Sequence, residues 1–415
     1  MQQKKETREC LLEALAASLR KEDVSWEEMS GEEWQELFLM ASQQQVSPLI
    51  YEAVCKCPAA KQGDIVDKYE KRVMHEVAKQ IVKTNEFLRI YSLMVEEGAK
   101  PLIIKGMICR EMYPKPDHRP STDEDVLIPK GQFEIAHKIL MDCGMQLLEP
   151  DEDIHAAHEV GYLRKDMFMY IEMHRQLFPE ESEAYGDYNQ FFEGVHERAV
   201  REEIQGVPVY TLGYTDHLLY LMCHAFKHFL GSGFGLRQVC DIVLFAQAHG
   251  REIDWEWIVK CCEEIHADKL MAAVFRLGQE YLNLELENTG LPDTWKAMEV
   301  NERALLEDML DGGVLGNSDM GRIHSSNITL NAVAARKKGK KVRGVVLRTV
   351  FPSFQYMSGQ YKYLEHRPYL LPVAWISRIW KYSLEIRKSE TNTPTRSIEI
   401  GNRRIELMKE YGIIN

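Results

Sequence analysis

Around Lys100 the chain changes its period. Before it, apolar residues recur at helical spacing: Leu11, Leu12, Leu15, Ala16 and Leu19, then Val73, Val77 and Ile81, then Leu88, Tyr91 and Val95. Pro48, and Pro58 with Gly63, divide residues 7–98 into several helices, and Gly98 ends the last. After Lys100, Pro101-Leu102-Ile103-Ile104 is a fully apolar run that fits a buried strand. Lys105-Gly106 follows, then a helical stretch to Tyr113. Pro114, Pro116 and Pro120 force a loop, and Asp123-Glu124-Asp125-Val126-Leu127-Ile128 reads as a second strand.

The same mixture continues. A helix is expected from about 131 to 143, capped by Gly144, and Met145 to Leu148 fits a short strand. Residues 158–164 and 167–174 form a strand pair with a tight turn at Lys165-Asp166. Met167, Met169, Ile171 and Met173 take one face of the second strand, and Phe168, Tyr170, Glu172 and His174 the other. Val207 to Thr211 is a further strand. The fold class is therefore α+β: a small mixed β-sheet flanked by helical regions. Four regions are expected. Residues 1–99 are helical, 100–212 carry the sheet, 213–311 are helical again with Thr215 as N-cap, and 312–415 are basic and rich in aromatic residues.

Charge separates the last region from the rest. The net charge is −13, yet residues 312–415 hold 18 Lys and Arg against 7 Asp and Glu. An acidic body is a poor coat for phosphate backbones, so nucleic acid is expected only through the basic run 336–348. No segment reaches the length of apolar residues that a membrane span needs, and no apolar core follows the first residues, so neither membrane nor signal peptide is expected. Nine scattered cysteines without metal-ligand spacing suggest reduced thiols in a cytoplasmic protein.

The acids carry the chemistry. Asp123 and Asp125, two apart on a strand, present both carboxylates to one face. Such a pair repels itself unless a cation lies between, which suits Mg²⁺ (or Mn²⁺) with a nucleoside triphosphate completing the shell. Glu172, on the strand face opposite the methionines, is the candidate third acid, and His174 shares its face.

The segment IIKGMICREMYPKPDHRPSTDEDVLIP (103–129), with IEMHRQLFP (171–179), resembles the uncharacterised nucleotidyltransferases of bacteria, within the DNA polymerase β-like superfamily. HLLYLMCHAFKHF (217–229), GLRQVCDIVLF (235–245), FPSFQYMSGQY (351–361) and RPYLLP (367–372) extend the likeness to roughly residues 35–385. The resemblance implies transfer of a nucleoside monophosphate from an NTP to a hydroxyl or phosphate acceptor, with pyrophosphate released. It implies Asp123, Asp125 and Glu172 as metal ligands and catalytic acids. Lys105, Gly106 and Arg119 would bind the nucleotide. The acceptor, whether small molecule, peptide, protein or RNA, is not legible.

Other readings stand beside these. Lys105 can be a surface lysine at a strand end, and Arg119 a loop-anchoring ion pair. His174 can orient substrate, bind metal or hold the sheet edge. Arg237 and Asp241, at i and i+4, can line the cleft or simply pair with each other. His217, His224 and His228 share a helix face without an evident third metal ligand. Met107 offers no hydroxyl after Gly106, and Glu124 must reach a sheet edge or find a cation. Two rival functions are a catalytically silent nucleotide-binding scaffold and an RNA-binding or toxin–antitoxin type module built on the basic run.

Overall fold

The computed structural model describes residues 6–62, 64–150, 153–180, 182, 184–316, 320–337, 351, 354, 357–358, 361–387 and 394–414. Four helices come first: α1 (Thr7–Leu19), α2 (Gly31–Gln43), α3 (Ser47–Val54) and the long α4 (Ile65–Glu96). Ser30 and Glu33 close a capping box on α2, and Pro48 stands in the first turn of α3, where its missing N–H costs nothing. The sheet unit follows: β1 (Leu102–Ile104), α5 (Gly106–Arg110), β2 (Glu124–Leu127), α6 (Phe133–Asp142), β3 (Gln146–Leu147), β4 (Glu159–Arg164), β5 (Met169–His174), β6 (Val200–Ile204) and β7 (Val207–Thr211).

The remainder is helical: α7 (Tyr214–Leu230), α8 (Leu236–His249), α9 (Trp255–Glu264), α10 (Asp268–Leu282), α11 (Asp293–Lys296), α12 (Glu302–Gly312), α13 (Met320–Lys337), α14 (Tyr363–His366), α15 (Leu371–Arg387) and α16 (Pro394–Glu410). The chain is thus α+β, as its periodicity predicts. One hydrophobic core runs from Cys10 of α1 to Ile414 and takes in both helical regions and the sheet. The nine cysteines are free thiols, and no helix among the described residues is long and apolar enough to cross a membrane. Most of the basic run 336–348 lies outside the described residues.

The strands form one mixed sheet in the order β3-β4-β5-β2-β1-β7-β6. β2 and β1 are central. β2 pairs antiparallel with β1 and parallel with β5, opposing Asp125 to both Ile104 and Glu172. The alternation read in β5 holds: Met169, Ile171 and Met173 are fully buried. Its turn is longer than expected. Lys165–Met167 form a 3-10 turn and Phe168 takes a left-handed conformation, so β5 begins at Met169.

Two sequence expectations need correction. Thr215 is not the N-cap of α7; the helix starts at Tyr214 after Gly213, and the Thr215 hydroxyl accepts from the Asp254 N–H at 2.9 Å. The cap position is held for glycine, because a Cβ there would meet the Arg198 carbonyl oxygen at 2.8 Å. Second, β6 escapes the sequence reading altogether. It is an edge strand, paired on one side only, and its Arg201-Glu202-Glu203 run resembles a solvated loop.

Candidate functional site

The site begins with the register of β2 and β5. Because Asp125 opposes Glu172, their side chains share a face, and His174, two residues on, shares it too. His174 Nε2 lies 3.0 Å from Asp125 Oδ1 and 3.7 Å from Glu172 Oε2. One ligand atom from each of the three falls within 4.8 Å of the others, which fits the first shell of a single ion. Among the described residues it is the group of metal-ligand type that emerges.

Electrostatics polarises the group. Burial works against charge on Asp125, but the Lys105 ammonium, 2.7 Å from Oδ1, and His174 outweigh it and hold the carboxyl well below its usual range. Glu172 goes the other way. Burial, then the Asp125 charge, push it up to about 7. Two adjacent carboxylates are thus split into one firmly ionised and one poised near neutrality.

His174 Nδ1 is buried without a hydrogen-bond partner, and Glu159 Oε2 on β4 stands 3.6 Å away. A ligating histidine needs an acceptor at its other nitrogen, and Glu159 is placed to become one. Glu159 is held down to about 2, chiefly by its hydrogen bond with His158, with burial opposing and His174 adding.

Lys105 is built into the site by its backbone. It sits at φ 53°, ψ −113°, a conformation that non-glycine residues rarely adopt, in the turn between β1 and α5. Its N–H donates to His217 Nε2 at 3.1 Å. His217 Nδ1 faces the Thr211 hydroxyl at 3.1 Å, and that hydroxyl donates to the Ile103 carbonyl at 2.6 Å. The chain of donors requires the Nδ1–H tautomer. Burial, then His249, lower His217 to about 3, so it stays neutral. The strained turn therefore points the Lys105 ammonium back along the sheet to Asp125, with the Tyr220 ring centroid 5.9 Å away.

The other sequence-predicted residues divide. Asp123 precedes β2 and is half-buried; its carboxylate stands outside the close group, although its charge acts on Glu172 and Lys105. His174 takes the place in the cluster that the sequence gives to Asp123. Arg119 is buried, and its Nε and Nη2 grip the two oxygens of Asp241 at 3.0 and 2.6 Å. Tyr113 donates to the same carboxylate at 2.7 Å. This is the loop-anchoring ion pair left open above. Arg237 makes no hydrogen bond to Asp241; it donates to the Pro120 carbonyl at 2.8 Å. Gly106 is buried, and a Cβ there would meet the Ser121 hydroxyl at 2.5 Å, so packing alone demands glycine. His217 parts from His224 and His228, which face each other at 3.2 Å.

Glu124 finds its cation. It is fully buried in the central strand and pairs with Arg110 of α5, whose other nitrogen donates to Thr84 of α4 at 2.7 Å. Nearby Lys83 donates to the carbonyls of Ser121 and Thr122 at 2.7 and 3.3 Å. Sequence reasoning missed this buried polar set. Its trace lies in α4, where Gln80, Lys83 and Thr84 occupy the stripe that Val73, Phe87 and Tyr91 mark as buried.

A mixed sheet with a carboxylate–imidazole cluster beside a strained Lys-Gly turn defines the class of site. The chain matches the family described as "Uncharacterised nucleotidyltransferase" over residues 30–283, and it belongs to that family. No curated protein and no solved structure matches it.

Proposed function

We propose that this chain is a divalent-metal-dependent nucleotidyltransferase that moves a nucleoside monophosphate from an NTP to a hydroxyl or phosphate acceptor. The observation that carries the reading is the in-register pairing of Asp125 with Glu172, closed by His174, in a chain of this family. The likeness to polymerase β-like enzymes supports the same chemistry.

Asp125, Glu172 and His174 are the residues that would hold the ion, with Asp123 at its rim. They fit one: the donors are two carboxylates and an imidazole, and the partnerless Nδ1 of His174 has Glu159 waiting behind it. When bound, Mg²⁺ or Mn²⁺ neutralises phosphate charge. The protein's own groups do the rest. The acceptor oxygen attacks the α-phosphorus, the bond to the β-phosphate oxygen breaks, and pyrophosphate leaves. Glu172 would take the acceptor's proton through the carboxylate oxygen that the ion leaves free. Lys105 supplies fixed positive charge beside Asp125. The acceptor approaches from the β4 side, where Glu159, Gly161 and Tyr170 border a cavity of about 210 Å³. Gly161 leaves that wall open to Tyr170, whose hydroxyl lies 2.8 Å from where a Cβ would be.

The test is incubation with each NTP labelled at the α-phosphate, Mg²⁺ and cell extract. Label should move to an acceptor with wild-type protein and not with Asp125→Asn. Transfer that survives in Asp123→Ala/Asp125→Ala would contradict the assignment.

A further inference from the structure

The cleft has a second wall, and it is cationic. From Asp216 onward α7 is buried except at His224, Lys227 and His228. The Lys227 charge couples to those of Glu159, Glu172 and Asp125, and the His224 ring lies 5.9 Å from the Tyr220 ring, whose centroid is 5.9 Å from the Lys105 ammonium. His228 stands 3.2 Å from His224 and feels the charges of Lys227, Lys105 and Arg237, the last on α8. Two of those cations, Lys227 and Arg237, form no direct ion pair among the described residues. The Lys227 ammonium makes no hydrogen bond or ion pair among the described residues. Arg237 spends one nitrogen on the Pro120 carbonyl, and its Nε is buried without a partner. The carboxylate nearest in sequence, Asp241, is already taken by Arg119 and Tyr113.

We infer that Lys227 and Arg237, with the His224–His228 pair between them and Lys105, form a polyphosphate subsite that receives the β- and γ-phosphates of a nucleoside triphosphate. The inference rests on the transferase reading and deepens it, by moving phosphate recognition from the loop residue Arg119 to the α7–α8 wall. Half-buried cations without partners are costly, and an anion offsets that cost. Burial lowers both groups from their usual values, Lys105 adding at Lys227 and Arg119 at Arg237. The imidazoles stay neutral, with His228 lowered to about 3 by burial and then by Lys227, so one can donate a hydrogen bond to phosphate oxygen.

The experiment is calorimetric titration of the full chain, in Mg²⁺, with inorganic tripolyphosphate, ATP and AMP. Wild-type protein should bind ATP at least tenfold more tightly than AMP. Lys227→Gln should weaken tripolyphosphate and ATP at least tenfold and leave AMP within twofold, with an unchanged melting temperature. Arg237→Lys keeps the charge and should lose less than Arg237→Gln. Nucleotide binding that is unaffected by both substitutions would overturn the subsite and leave the transferase reading standing. Lys227-dependent tripolyphosphate binding without any nucleotide binding would sink the transferase reading and overturn the assignment of the subsite to a nucleoside triphosphate. Wild-type protein that binds neither ATP nor tripolyphosphate would overturn the subsite.

Discussion

Glu124 and Asp125 are neighbours on one strand, both buried and both paired with a cation, yet they face opposite sides of the sheet and meet different surroundings. On the Glu124 side the partner is Arg110, itself anchored on Thr84, and the pair is sealed beneath α4 and α5. On the Asp125 side the partner is Lys105, and around it stand a second carboxylate and an imidazole with an unspent nitrogen. The first arrangement is one carboxylate and one permanent cation, with Glu124 Oε2 and Arg110 Nε left buried without a hydrogen-bond partner. The second has more ligand atoms than the chain's own cation uses. A buried charge pair is therefore not a functional signal in itself; two carboxylates and an imidazole gathered within ligand distance of one another are.

The sharpest way to break this comparison is to neutralise each carboxylate in turn. Asp125→Asn should lower nucleotidyl transfer by about 10³-fold or more, because charge placed for the transition state is lost. The circular dichroism spectrum should remain that of the folded protein. Glu124→Ala should act on stability instead. Urea unfolding should show a loss of about 3–5 kcal/mol, because Arg110 is left buried and unpaired. Replacing both partners, Glu124→Met with Arg110→Met, should recover most of that loss, since a sealed pair is exchangeable for apolar packing. No such rescue is expected for activity when Lys105 and Asp125 are replaced together.

A smaller effect tests the third ligand. His174→Asn should weaken Mn²⁺ binding by at least about tenfold, read by the paramagnetic signal of the free ion, and Glu159→Gln should weaken it less. The smallest effect is a pH dependence. Glu172 is raised from about 4.5 to about 7 in the folded chain, so between those values the folded state holds a proton the unfolded state has released. The Glu172 contribution to stability of the metal-free protein should therefore fall as pH rises through this window, against the opposite contribution of the neutral His217 and His228, so Glu172→Gln should make stability rise more steeply with pH than in wild type. An unchanged slope in Glu172→Gln would contradict the placement of Glu172 beside an ionised Asp125.

Much of this fold is legible in local periodicity. The apolar run before Lys105 and the alternation of Met169, Ile171 and Met173 place the central strands within a residue or two, because buried strands must match the pleat. The site is half legible. Asp125 and Glu172 announce themselves by spacing, but their in-register pairing depends on β2 lying beside β5, a long-range fact. Arg119 reads as a phosphate fork in the sequence and is spent on Asp241 in the fold, 122 residues away. Lys227 gave no sequence signal, since its meaning comes from the helix face that the sheet leaves uncovered. Most of the basic run 336–348 lies outside the described residues, and the proposed phosphate recognition does not draw on it.

The central claim is that the Asp125 side of β2 holds the ion and the transferred phosphate. Crystals soaked with Mn²⁺ and a non-hydrolysable NTP analogue, measured at the manganese absorption edge, test it most directly. The account predicts an anomalous peak within about 2.3 Å of carboxylate oxygens of both Asp125 and Glu172, with a phosphate oxygen in the same shell and the Lys105 ammonium moved from Oδ1. Manganese bound elsewhere, with Lys105 still seated on Asp125, would contradict it.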